Sequence, residues 1–326
     1  MERIPSAPPQ ISPVPLDISR PLWSVMIPVY NCSQYLPETI TSVLSQNLDW
    51  DNFQVEVVDD YSTDTDVETL VKNIGQGKVS YYRQPENVGI LRNFETCINR
   101  SKGYYVHLLH GDDKVKNNFY SKLTSLFDQF PSVGAAFCSY DFIDQNSTHL
   151  FSVSTEASEQ CILTDCLERL SVRQPLQVVT IAVKREVYEK LGCFYGVTYG
   201  EDWEMWARIA KNYPVAYSPE HLAQYRIHGN SLTNKNQSSS QNIKDIIKIS
   251  KVISSYLPLE KQHGAKRLFQ ENYADYIIHK FYEQTSNNIK INTKQILYVL
   301  LICKNINQIR AIFHIFYLHN IKRHFV

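Results

Sequence analysis

Between Trp23 and Asp144 short apolar runs alternate with stretches of helical periodicity, and this rhythm restricts the chain more than any other feature. WSVMIPV (23–29) has the continuous apolar character of a central strand. In the YLPETITSVLSQ that follows, Leu36, Ile40, Val43 and Leu44 fall on one helical face. VEVVDD then reads as a strand, DVETLVKNI as a helix and KVSYYRQ as a strand. ILRNFETCINRSKG reads as a helix buried along Leu91, Phe94 and Ile98, with Gly103 as its stop. YYVHLLH, NNFYSKLTSLFDQF and GAAFCSYDFID repeat strand, helix and strand. Alternation at this spacing predicts an α/β fold, a mostly parallel sheet covered by helices on both faces.

From Gln177 a strand and short helix (QVVTIAVKREVYEKLG), a helix (DWEMWARIAKNY) and a strand (VAYSPEHLAQYRIH) complete this domain. The polar run 229–241 reads as a linker. Beyond it Ile243, Ile246, Ile247, Ile253 and Leu257 keep helical spacing, which predicts a C-terminal helical appendage. The first twenty residues are proline-rich without periodicity and read as a flexible arm. The division is therefore 1–20 arm, 21–233 catalytic-type domain and 234–326 helical region.

Lys plus Arg and Asp plus Glu number 33 each, so no global field recruits nucleic acid. Seven cysteines without a CxxC pair give neither a disulfide framework nor a zinc motif. The opening residues have no apolar signal core, and the longest apolar run, 296–303, is too short to span a bilayer; the expected location is cytoplasmic. The tail is asymmetric in charge. No acid follows Glu283, whereas Lys290, Lys294, Lys304, Arg310, Lys322 and Arg323 do, interleaved with large apolar residues. That pattern fits either a helical cap or peripheral attachment to the cytoplasmic face of an anionic membrane.

Ligands of parallel sheets sit outside the carboxyl ends of the strands. Here the first strand ends in Pro28, Val29 and Tyr30, the second in Asp59 and Asp60, and the fourth in His110, Gly111, Asp112 and Asp113. A lone acidic pair is ordinary capping or turn chemistry. Two pairs on neighbouring strand ends repel unless a cation or a donor-rich ligand lies among them. Glu201 and Asp202 open a helix beside Trp203 and Trp206, where apolar walls would raise the proton affinity of a general base; helix capping by Asp202 is the structural reading. His228, closing a strand before the polar run, is by itself more often structural than a ligand.

The segments SVMIPVYN, VEVVDDYSTD, ENVGILRN, LLHGDD, GEDWEMWARIA and YRIHGNSLT, in this order, resemble those of the family 2 inverting glycosyltransferases, over about Pro21 to Thr233. The resemblance implies the GT-A fold, a nucleoside diphosphate sugar donor (a UDP-sugar favoured), an acceptor hydroxyl on a sugar, a lipid-linked molecule or another compound, and Mg²⁺ or Mn²⁺. It implies that Pro28, Val29 and Tyr30 wall the nucleobase and ribose, that Asp60 accepts a hydrogen bond from the base, and that Arg92 lies near the nucleotide. Asp112 would contact the ribose, Asp113 would hold the metal with His228 nearby, and Asp202 would be the catalytic base. Trp203, Trp206 and Tyr199 are candidates for stacking on the acceptor sugar. Many relatives carry an acid where this chain has His110.

Two competing functions share the strand–helix alternation. A dinucleotide-dependent dehydrogenase needs GxGxxG after the first strand, and the turn here is PVYNCSQ. A non-catalytic sugar-binding or scaffold protein on the same fold stays open, since fold does not fix function, and the intact acids Asp60, Asp113 and Asp202 argue against it.

Overall fold

The computed structural model describes residues 2–47, 49–229, 240–287, 289 and 291–321. Four strands form one parallel block of a ten-stranded sheet: β1 (Trp23–Val29), β2 (Phe53–Asp59), β3 (Ser80–Arg83) and β4 (Tyr105–Leu108). β1 pairs with β2 on one side and β4 on the other. The remaining strands are β5 (Lys114–Val115), β6 (Ala135–Ile143), β7 (His149–Ser152), β8 (Cys161–Ile162), β9 (Ile181–Lys184) and β10 (Val215–Arg226). In space the order is β3-β2-β1-β4-β9-β6-β10-β5, with β7 on β6 and β8 on β10. β9 enters antiparallel between β4 and β6, so the sheet is mixed rather than parallel throughout. Inside β10, Pro219, which has no N–H to give a ladder, sits where the register against β6 shifts.

Successive residues of a strand face opposite ways, and β1 shows the consequence. Trp23, Val25, Ile27 and Val29 join one buried cluster with α1 (Leu36–Leu44), α2 (Val67–Gly75) and α4 (Phe119–Gln129). Met26, equally buried, faces the other side, where α3 (Ile90–Arg100) packs through Leu91, Phe94 and Ile98. Trp23 anchors the first cluster: its ring lies within 6.4 Å of Phe53, Tyr105, Tyr120 and Phe127, and its indole N–H donates to Thr124 at 3.0 Å. α3 ends at Arg100, capped by Ser101. Gly103 is not its stop: a β-carbon there would lie 2.5 Å from the Trp23 carbonyl carbon, so close approach to β1 is what requires glycine.

The arm read as flexible is instead laid on the sheet domain. Pro5 and Pro9 carbonyls accept from Gly196 and Cys193 N–H groups, both at 2.8 Å. Ser12 N–H donates to Asn99 and its carbonyl accepts from Arg185, while Ile11 is buried. Arg20 donates to the Lys102 and Gly103 carbonyls at 2.8 Å. The physical reason lies in the prolines. An extended proline-rich chain makes no internal hydrogen bonds, so its carbonyls are available, and it has little conformational entropy to lose on docking.

The chain divides into two units that interleave in sequence: one of residues 1–166, 175–196 and 208–228, the other of 167–174, 197–207 and 229–326. The boundary read after Thr233 falls among residues outside the described ones. The second unit takes most of α5 (Cys166–Leu170), the first half of α7 (Glu201–Asn212), α8 (Ser240–Ser254), α9 (Leu259–Ser286), α10 (Thr293–Ile302) and α11 (Ile306–Ile321). Its helices pack along Ile246, Ile253, Phe269, Ile277, Phe281, Val299, Ile302, Ile312 and Ile315, all buried. α6 (Arg185–Leu191) belongs to the first unit.

Candidate active site

Parallel pairing brings the carboxyl ends of β1, β2 and β4 to one edge of the sheet. Two antiparallel steps, β4 to β9 and β9 to β6, restore that direction, and β10 runs parallel to β6. Arg226, the last residue of β10, therefore arrives beside the loop that follows β4.

That loop is His110-Gly111-Asp112-Asp113, closed by the Asp113 N–H donating to the His110 carbonyl at 3.1 Å. A β-carbon on Gly111 would lie 2.8 Å from the Cys32 sulfur and 2.9 Å from a Val29 methyl, so only glycine lets the loop pack on the end of β1. Within it His110, Asp112 and Asp113 each offer a ligand atom, all within 4.8 Å of one another. Asp113 is buried. Its Oδ1 accepts from the Arg226 backbone N–H at 2.9 Å, while its Oδ2 has no hydrogen-bond partner and lies 4.0 Å from His110 Nδ1. A buried acceptor left unpaired is costly, and a cation is the partner this oxygen fits.

The neighbouring groups divide the charge. Burial and the adjacent Asp112 push the Asp113 carboxyl well above the ordinary range, against the Arg226 hydrogen bond and charge. Burial opposes ionisation of Asp112 too, but the hydrogen bond from His228 Nε2 to Asp112 Oδ2 (3.0 Å) and the two histidines outweigh it and hold that carboxyl low. Arg226 is fully buried. Its guanidinium donates to the Asp112 carbonyl, to Ser147 and to Glu38, and stands 4.8 Å over the Tyr35 ring, which in turn packs on His228.

At the ends of β1 and β2 the backbone is bent by design of its side chains. Asn31 and Tyr61 both adopt left-handed conformations, at φ of 49° and 66°, which costs a non-glycine residue roughly 1–2 kcal/mol. Asn31 accepts from Thr63 N–H and takes Ser62 Oγ on its own N–H, and Arg83 lies 4.5 Å over the Tyr61 ring. Asp59 is consumed by structure, accepting from Ser62 N–H, Tyr81 and Arg83. Asp60 faces the next loop: Oδ1 accepts from Val88 N–H, Oδ2 from Gly89 N–H and the Asn87 amide. Burial raises its proton affinity, and those two N–H groups oppose the rise. Pro28 is half-buried, Val29 buried and Tyr30 exposed. Arg92 donates to the Glu2 carbonyl and pairs with Glu95 at 2.6 Å.

Asp202 belongs to the second unit, in the first turn of α7. Its Oδ1 accepts from the Trp203 N–H at 2.8 Å and its Oδ2 from the Gln174 amide at 2.7 Å. Burial raises its proton affinity and those two donors oppose the rise. The tryptophans expected to stack on an acceptor are core residues here. Trp203 stacks on Phe269 at 4.4 Å and gives its N–H to the Leu170 carbonyl, and Trp206 is 2% exposed. They are amphipathic rings at helical spacing on the buried face of α7, so packing claims them. Tyr199 is half-buried; burial, with Tyr276 beside it, raises its phenol to well above the ordinary value, against the hydrogen bond with Tyr273.

Arg226 and Asn87 were not singled out by the sequence as parts of this site, and His110 was noted at the end of β4 without a role assigned to it. An arginine closing a strand two residues before His228 was the available signal for Arg226, because a buried guanidinium needs several acceptors. His110 stood three residues before Asp113 in a turn, which puts the two side chains on one side.

The model of the family described as glycosyl transferase family 2 matches residues 24–191, just over half of the chain. An uncharacterised glycosyltransferase of Rickettsia prowazekii is 27% identical over 220 residues, 67% of this chain and 68% of that protein. The Bacillus subtilis glycosyltransferase TuaG, named for teichuronic acid biosynthesis, is 28% identical over 66% of this chain and 82% of its own. Among solved structures, Staphylococcus aureus TarS 1–349 in complex with UDP-GlcNAc superposes with a TM-score of 0.66 at 15% identity, covering 89% of this chain and 81% of that one. The same protein in complex with UDP gives 0.63 at 14% identity, over 93% and 92%. These likenesses carry the GT-A fold, and the sheet edge that gathers Asp60, Asp112 and Asp113 lies inside the matched residues; the chain belongs to glycosyl transferase family 2 and is a glycosyltransferase.

Proposed function

We propose that this glycosyltransferase takes a UDP-hexose or UDP-N-acetylhexosamine donor at the carboxyl ends of β1, β2 and β4 and transfers the sugar to an acceptor hydroxyl with inversion. The observation that carries the reading is Asp113 Oδ2, buried, unpaired and beside His110 and Asp112. Asp113 would hold Mg²⁺ or Mn²⁺ there, with His110, Asp112 and His228 around it. When bound, the ion supplies Lewis-acid neutralisation of the departing diphosphate. The Arg226 backbone N–H occupies Asp113 Oδ1, which leaves Oδ2 as the oxygen for the ion. Tyr30 and Val29 support the base and ribose, and Asp60 accepts from the base. Asp202, kept from easy ionisation by burial yet tethered by Gln174, accepts the proton of the attacking hydroxyl. The solved complexes of TarS with UDP and UDP-GlcNAc support the choice of donor.

The reading extends to where the enzyme works. In α10 Lys294, Leu297 and Leu301 form one exposed stripe, and in α11 Ile306, Arg310, Phe313 and Tyr317 form another. Both helices are also apolar on the side packed into their unit, through Ile296, Val299 and Ile302 and through Ile312 and Ile315. No described helix is long and apolar enough to cross a membrane. Stripes of large apolar side chains with cations and no acids suit the surface of an anionic bilayer, the place where lipid-linked acceptors are presented. Lys290, Lys322 and Arg323 lie outside the described residues.

The test is turnover of a UDP-sugar panel with and without EDTA, beside Asp113→Ala. Chelation and the substitution should each abolish turnover, and Asp113→Ala should remove the cation dependence of UDP binding while the protein stays folded. Wild-type turnover that ignores EDTA refutes the metal reading.

A further inference from the structure

The docked arm does more than cover α3, because its tip ends beside Asp60. Arg3 Nη1 donates to the Asn87 carbonyl at 3.0 Å and Nη2 to the Asn87 side-chain oxygen at 2.5 Å. The amide nitrogen of Asn87 then donates to the Asp60 carbonyl at 2.9 Å and to Asp60 Oδ2 at 3.0 Å. The guanidinium also overhangs the start of α3: a β-carbon on Gly89 would lie 3.2 Å from it. One residue earlier, the Glu2 carbonyl takes the Nε–H of Arg92 at 2.8 Å. The tip of the arm thus grips the two side chains, Asn87 and Arg92, that border Asp60 in the ENVGILRN segment.

We propose that Arg3 is a positioning residue of the nucleotide site, setting through Asn87 the face that Asp60 presents to an imide N–H of a uracil-type base. This rests on the reading of Asp60 as the acceptor for the base. A guanidinium has donors only, so it dictates that the oxygen of the Asn87 amide turns toward Arg3 and the NH₂ toward Asp60. Without Arg3 the amide keeps its NH₂ on Asp60 but loses the brace on its oxygen and backbone, so the position at which it holds Asp60 loosens. The Arg3 charge also favours the ionised form of Asp60, which burial and Asp59 disfavour. An arm outside the matched family region (24–191) thereby becomes part of donor recognition.

The test compares UDP and uridine binding to full-length protein in Mg²⁺ buffer, together with donor KM and kcat. Arg3→Ala should weaken UDP and uridine by the same factor, about 5- to 10-fold, and raise donor KM with kcat unchanged. Arg3→Lys should recover part of that loss. Arg20→Ala, at the far end of the arm, should lower Tm and leave both affinities alone. Unchanged binding in Arg3→Ala, a loss for UDP but not uridine (a direct phosphate contact), or an equal loss in Arg20→Ala overturns the proposal. A wild-type protein that binds neither ligand overturns the nucleotide reading itself, and the inference with it.

Discussion

A carboxylate that accepts a proton from a hydroxyl must first be ionised, and burial holds Asp202 back from that state while the Gln174 amide and the Trp203 N–H favour it. The rising limb of kcat/KM against pH should therefore sit above the ordinary aspartate range. Replacing Gln174 by Leu removes a donor to the charged form, so the limb should move further up. Asp202→Asn keeps the shape and cannot take the proton; turnover should fall by about two to four orders of magnitude with donor affinity nearly unchanged. Near-normal turnover would reduce Asp202 to a helix cap. At this scale the sequence was informative where a residue's own chemistry decides, as with the acidic pairs at the ends of β2 and β4, which flank β1. It was uninformative where a neighbour decides. Nothing local says that Asp59 is spent on Tyr81 and Arg83 while Asp60 is not, or that both indoles of α7 are buried, Trp203 against Phe269.

Among the elements, β1 and the last two helices make opposite demands on their surroundings. β1 is buried on both faces, and Trp23 fills the space between it, β2, β4 and α4. Trp23→Ala should cost about 3–5 kcal/mol in chemical denaturation, since four aromatic rings cannot close over the space it leaves. α10 and α11 expose what β1 hides. If their outer stripes meet an anionic bilayer, full-length protein should float with anionic liposomes at low salt. Leu297→Ser, Leu301→Ser and Phe313→Ser together should abolish flotation without lowering UDP-sugar turnover in solution. A wild-type protein that stays unbound makes the two helices a structural cap. Periodicity made the strands and helices of the matched region legible to within a few residues. It gave no sign of the direction of β9, because a short apolar run reads the same either way, nor of the short β7 and β8.

For the molecule as a whole, the order of the chain departs from the order of its packing. The backbone passes from one unit to the other after Cys166, Gln174, Gly196, Ala207 and His228. Synthesis on the ribosome runs in one direction only, so this weaving sets a schedule. The acidic cluster around Asp113 has all its partners once His228 has emerged. Asp202 emerges before His228, but the helix that carries it stacks Trp203 on Phe269, which is made more than sixty residues later. A nascent or prematurely terminated chain therefore completes the Asp113 cluster before it can complete the packing of Trp203 beside Asp202, which waits for α9 to be translated.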